Sequence, residues 1–270
     1  MLQNLKKEFT AKVALLIFLF FTAFWLTLFL FEKDSIWHAA FGSSYGVLAA
    51  FGGFIGLSIA QRWGGFKSIM GKSVLFFSFG LLLQTFGQIA YTLYIYVLKI
   101  ELPYPSIGDI GYFGSIPCYV YGVFLLAKAS GVRLSIQRLR GQLLFLILPG
   151  VLLLLSYFMF LQGYVFDWSN PLAIFLDFGY PFGQAIYVSL AFLTYLLSRN
   201  ILGGIMRNKI LFLLFALVIQ YLSDFSFLYL VDKGWWFVGG VNDYIYLVAY
   251  FLMTLALIQL KTVSDTLTKK

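Results

Sequence analysis

Apolar residues along this chain do not alternate with polar ones; they run on. Eight stretches, Val13–Phe31, Ile36–Ala60, Val74–Leu98, Ile110–Ala129, Gln142–Leu161, Leu172–Leu197, Ile210–Leu230 and Tyr244–Leu260, are almost purely apolar, and short polar breaks separate them. At about 1.5 Å per residue such runs cross roughly 30 Å of hydrocarbon as helices, whereas barrel strands would read as alternating segments of about ten residues. The pattern predicts an all-α membrane protein with eight transmembrane helices in four hairpins. Connections such as Gln61–Ser73 and Arg199–Lys209 are too short to fold independently, so residues 1–270 form a single polytopic domain without a soluble one.

Lys and Arg give this bundle a direction. Starting from a cytoplasmic N-terminus, the inner segments hold Lys6, Lys7, Lys12, Arg62, Lys67, Lys72, Lys128, Arg133, Arg138, Arg140, Arg199, Arg207, Lys209, Lys261, Lys269 and Lys270. Only Lys33, Lys99 and Lys233 fall on the other side, and an odd number of spans would destroy this alternation. Both termini are therefore expected in the cytoplasm and the chain in a prokaryotic inner membrane. A cleaved leader is the competing reading of the start, where Ala39-Ala40 follows a basic segment and an apolar run. That run exceeds the usual 7 to 15 residues, and Glu32, Lys33 and Asp34 intervene.

Composition agrees: 61% of residues are hydrophobic and 11% charged, too few charges for a water-covered surface. The net charge of +8 follows from topology, so no nucleic-acid surface is needed to explain it. A single Cys (Cys118) and a single His (His38) leave no intrachain disulfide and no two-histidine zinc motif. No His-Glu-x-x-His, Gly-x-Ser-x-Gly or phosphate-binding glycine loop is present. The flanks of Asp177 and Asp224 lack the Gly-x-Gly-Asp of intramembrane aspartyl proteases, and the last span has no lysine for a retinal Schiff base. The expectation is a protein without catalytic residues, cofactor or bound metal, whose partners are the lipid bilayer and not nucleic acid.

Carboxylates divide the opposite way. Glu8 and Asp265 fall inside, while Glu32, Asp34, Glu101, Asp109, Asp167, Asp177, Asp224, Asp232 and Asp243 fall outside or in the outer leaflet. Three returning helices share a motif: Asp109-Ile-Gly-Tyr112, Asp177-Phe-Gly-Tyr180 and Asp243-Tyr-Ile-Tyr246, with Gly42-Ser-Ser-Tyr45 as a version lacking the acid. Residues three apart share a helix face, so each Asp-x-x-Tyr forms a polar stripe. Asp109 and Asp243 open helices, where capping alone accounts for them. Asp177 and Asp224 lie deeper, with no Lys or Arg at their level, so their partners must be neutral donors, a shared proton or something arriving from outside. Gln184 extends the Asp177 stripe; Gln220 and Tyr221 accompany Asp224; Gln84, Gln88 and Tyr91 on the third helix and Tyr250 on the last add donors. Two readings stay open: a hydrogen-bonded network holding helices together, and a site open to the outside that binds a cationic or amine ligand. An ion or proton path is a third. Gly42, Gly46, Gly52, Gly53 and Gly56 read as close helix packing.

The stretch Pro105-Ser-Ile-Gly-Asp109-Ile-Gly-Tyr112-Phe, followed by Pro117 and Gly122, resembles the multi-pass membrane sensor segments N-terminal to many bacterial diguanylate cyclases. Tyr180-Pro-Phe-Gly183 resembles that family's second signature, and Ser223-Asp224 with Asn242-Asp243 its last acidic hairpin. Gln184 departs from the Asp often found there, and no cyclase or kinase domain occurs within the chain. The resemblance implies a sensor-like scaffold whose signal passes to a separate cytoplasmic partner. The expected ligand-binding set is Asp109, Tyr112, Asp177, Tyr180, Gln184, Asp224, Asp243 and Tyr246. A small transporter or ion-conducting protein is the alternative, and a structural or assembly factor the third.

Overall fold

The computed structural model describes residues 8–100, 103–130, 139–198 and 204–267. Lys6, Lys7, Arg133, Arg138, Arg199, Lys269, Lys270 and Glu101 from the charge pattern lie outside the described residues. Among them the regular structure is all helical, without strands: α1 (Phe9–Leu28), α2 (Ile36–Ser44), α3 (Val47–Arg62), α4 (Ile69–Thr92), α5 (Ile107–Ala129), α6 (Leu139–Ser156), α7 (Pro171–Ser198), α8 (Gly204–Asp232) and α9 (Val241–Leu267).

Seven described helical segments are long and apolar enough to cross a membrane, which makes this a multi-pass membrane protein. Helices α2 and α3 act as one of them, Ile36–Arg62. The Ser43 and Ser44 hydroxyls donate to the Ala39 and Ala40 carbonyls at 2.9 and 2.6 Å, and the helix tightens just beyond, at Tyr45 and Gly46. The predicted fifth span differs. It is α6 with a π-helical end at Tyr157–Leu161, and its apolar part, Ile147–Leu161, is shorter than the other spans.

Local signals explain the helix starts. Ser68 caps α4 by accepting from Gly71 N at 2.8 Å, and Asn170 Oδ1 accepts from Ala173 N at 3.2 Å just before Pro171 at the first position of α7. Pro117, Pro149 and Pro181 all sit inside continuous helices.

Neighbouring helices close a ring in the order α3, α4, α5, α7, α8, α9 and back to α3. Helix α1 packs outside it on α9, and α6 on α7. Glu8 pairs with Lys261 at 2.6 Å at one end of α1, and Trp25 Nε1 donates to Gly239 O at 3.1 Å near the other. Side chains such as Phe20, Phe54, Ile110 and Leu154 point outward and stay exposed, as a lipid-facing surface requires.

Glycines set the closest approaches. A Cβ on Gly111 would meet Gly87 N at 2.5 Å and also the Leu83 carbonyl, so α4 and α5 touch through bare backbone. Gly80 and Gly87, two turns apart, receive the rings of Tyr119 and Tyr112, likewise two turns apart on α5. The glycines of α2 and α3 face Val238, Gln88, Thr254, Leu82 and Ser78, which makes them packing surfaces, as the sequence predicts.

Candidate functional site

Antiparallel packing brings the starts of α5, α7 and α9 to one end of the bundle, together with the last turns of α8. The described carboxylates other than Glu8 and Asp265 gather towards this acidic end. Asp109 is the third residue of α5 and closes a capping box with Ser106: Ser106 N donates to Asp109 Oδ2 at 2.7 Å and Gly108 N to Ser106 Oγ at 3.1 Å. Capping uses only one oxygen. The other accepts from Tyr180 of α7 at 2.6 Å, so a single carboxylate starts one helix and fastens it to its neighbour.

Asp177 does not join Tyr180, although both lie on one stripe of α7. Its oxygens accept from Tyr104, before α5, and Tyr164, after α6, each at 2.6 Å. One carboxylate thus pins two connecting segments to α7. Burial and then the Asp177 bond push the Tyr104 phenol upward, while the Asp177 bond leads in moving Tyr164 up to about 12. Because that value lies above the ordinary 10.0, the Tyr164 contact is intact below about pH 10 and is lost as pH climbs through about 12. A tyrosinate absorbance titration is expected to lose one phenol's share of its late-titrating amplitude in Tyr164→Phe; identical curves would count against the contact. Beside it Phe166 stacks on Trp168 at 5.5 Å, and Tyr164 meets Phe178 edge-on at 5.2 Å.

Inside the ring the chemistry changes. Asp224 is 6% exposed and accepts from Tyr187 at 2.7 Å on Oδ2, and from Gln220 and Tyr246 at 3.0 Å each on Oδ1. Three neutral donors on α7, α8 and α9 therefore satisfy it, as desolvation without a basic neighbour demands. A second chain runs from the Tyr250 hydroxyl to Gln84 Oε1 at 3.1 Å and from Gln84 Nε2 to Ser115 Oγ at 2.8 Å. It ties α9 through α4 to α5.

The remaining candidates lie apart from these centres. Tyr112 donates to Gln88 at 3.5 Å, and Gln88 in turn to the Gly42 carbonyl. Asp243 is buried and accepts from Gly239 N at 2.7 Å, the helix-start role the sequence allowed it. Gln184 is buried on α7 between Tyr180 and Tyr187. The eight expected residues are thus distributed: Asp109 with Tyr180 and Asp177 with Tyr104 and Tyr164 at the acidic end, Asp224 with Tyr246 within the ring. Tyr104, Tyr164, Tyr187 and Ser115 were not among the expected residues. Tyr187 follows Tyr180 by two turns on one face, a signal available in the sequence; Tyr104 and Tyr164 sit in connections, where no periodicity marks them.

No family, curated protein or solved structure matches this chain.

Proposed function

We propose that this protein is a sensor-like, ligand-binding module of a prokaryotic inner membrane, with eight transmembrane helices, both termini cytoplasmic and the acidic end facing out. The distribution of Lys and Arg supports the orientation. The observation that carries the ligand reading is the pair Asp109 and Asp177, two carboxylates held only by neutral groups: tyrosine hydroxyls and, for Asp109, the helix-start donors. The ion pairs Lys233–Asp232 and Lys261–Glu8 involve neither carboxylate.

An ammonium group entering there replaces hydroxyl donors by a full charge, while Tyr164, Phe166 and Trp168 offer ring faces. Because Asp109 joins α5 to α7 and Asp177 fixes the segments flanking α5 and α6, a ligand competing for these oxygens resets how the helices meet. A cytoplasmic partner reading the opposite end receives the change. The likeness to cyclase-linked sensor segments in Pro105–Phe113 and Tyr180–Gly183 supports the same reading.

The test uses purified protein with ethylammonium or tetramethylammonium as probe. Stabilisation by RT ln(1 + [L]/Kd), about 2.7 kcal/mol at a hundredfold excess over Kd, is expected in the native sequence and absent in Asp177→Asn. In right-side-out vesicles the probe is expected to bind, and in inverted ones not. No stabilisation by either probe would sink the proposal. A transporter is the second reading, favoured by the placement of Asp224 within a closed ring of helices; accumulation of the probe in proteoliposomes would establish it instead.

A further inference from the structure

We infer that the interior of the six-helix ring holds one monovalent cation, sodium, between the Asp224 carboxylate and the Tyr119 hydroxyl. This site is separate from the acidic-end pair and does not depend on it. A carboxylate offers about four acceptor positions, and Asp224 uses three, two on Oδ1 and one on Oδ2. One position on Oδ2 is open.

Tyr119 supplies the second observation. It is 1% exposed, and its hydroxyl has no hydrogen-bond partner, an unfavourable state for a buried polar group. Its ring is seated against Gly80 and stands edge-on to Tyr187, 5.9 Å between centroids; Tyr187 is the residue that donates to Asp224 Oδ2. Tyr187 thus touches both Tyr119, whose phenol oxygen is unpaired, and the carboxylate with an unused lone pair.

Charge and donor type select the guest. The three hydrogen-bond partners of Asp224 are neutral, so a negative Asp224 has no counter-charge among them. One carboxylate among neutral oxygens matches a single positive charge, and no group of three His, Cys, Asp or Glu able to hold a metal ion occurs among the described residues. Carboxylate and phenol are hard oxygen donors, which suit an alkali ion and not a thiophilic or imidazole-seeking metal.

Thermal unfolding of the full chain in detergent, in sodium chloride against caesium chloride at equal ionic strength, tests the inference. Sodium is expected to raise the midpoint over the larger caesium ion in the native sequence. Asp224→Asn should abolish that rise, and Tyr119→Phe should demand on the order of tenfold more sodium for the same rise, since one oxygen ligand is lost. Asp177→Asn should keep the full sodium response, which separates this site from the amine site. Identical sodium and caesium curves in the native protein overturn the inference, as does an unchanged sodium requirement in Tyr119→Phe. The Phe variant keeps the ring that fills the Gly80 recess, so it decides the matter even where Asp224→Asn does not fold.

Discussion

Replacing Asp224 with alanine is expected to destabilise the protein by roughly 3 kcal/mol, read as a shift in its denaturation midpoint. The loss has two sources. Tyr187, Gln220 and Tyr246 are left with buried donors and nothing to accept them, and three helices lose their common anchor. Asp224→Asn is expected to lose only about 1 kcal/mol, because the Asn oxygen still accepts while the Tyr187 hydroxyl turns to accept from the new amide. Equal losses in the two variants would mean that side-chain volume, and not hydrogen bonding, sets the stability there.

Gly111→Ala is the second large effect. The added methyl meets Gly87 N at 2.5 Å and the Leu83 carbonyl, and neither is a flexible side chain that can swing away. Helices α4 and α5 must separate, which costs on the order of 2–3 kcal/mol and moves the rings of Tyr112 and Tyr119 out of their glycine seats. Gly150→Ala on α6 is the control: nothing lies within 4 Å of its Cβ position, and alanine favours the helix by roughly 1 kcal/mol. A Gly111→Ala variant as stable as the native chain would show that the two helices do not cross this closely.

The spans were legible because burial in hydrocarbon writes itself as uninterrupted apolar runs. The reading Ile110–Ala129 fell three residues short at its start, and Leu172–Leu197 matched Pro171–Ser198 to one residue at each end. The readable misses were at caps, where Ser106, Ser68 and Asn170 begin helices ahead of the apolar residues. Partners were far less legible. Asp177 and Tyr180 share a stripe, yet a helix stripe is wide enough to touch different neighbours on its two sides, so one turns to Tyr164 and the other to Asp109. Asp224 and Tyr246 came together because α8 and α9 are adjacent in the ring, an order no local pattern contains. The glycines of α2 and α3 were read as packing, whereas Gly80 and Gly87 passed unnoticed because their meaning lies in the tyrosines of another helix.

Ring closure between α3 and α9 also sets a timetable for biogenesis. Helices α3, α4 and α5 leave the ribosome well before Val241 does, and at 5–20 residues per second the delay is on the order of ten seconds. Throughout it, Gln84 Oε1 lacks the Tyr250 hydroxyl and Gly52 lacks Thr254, so the half-built ring presents a polar edge and bare backbone to the bilayer. Both gaps close only when α9 packs against α3 and α4.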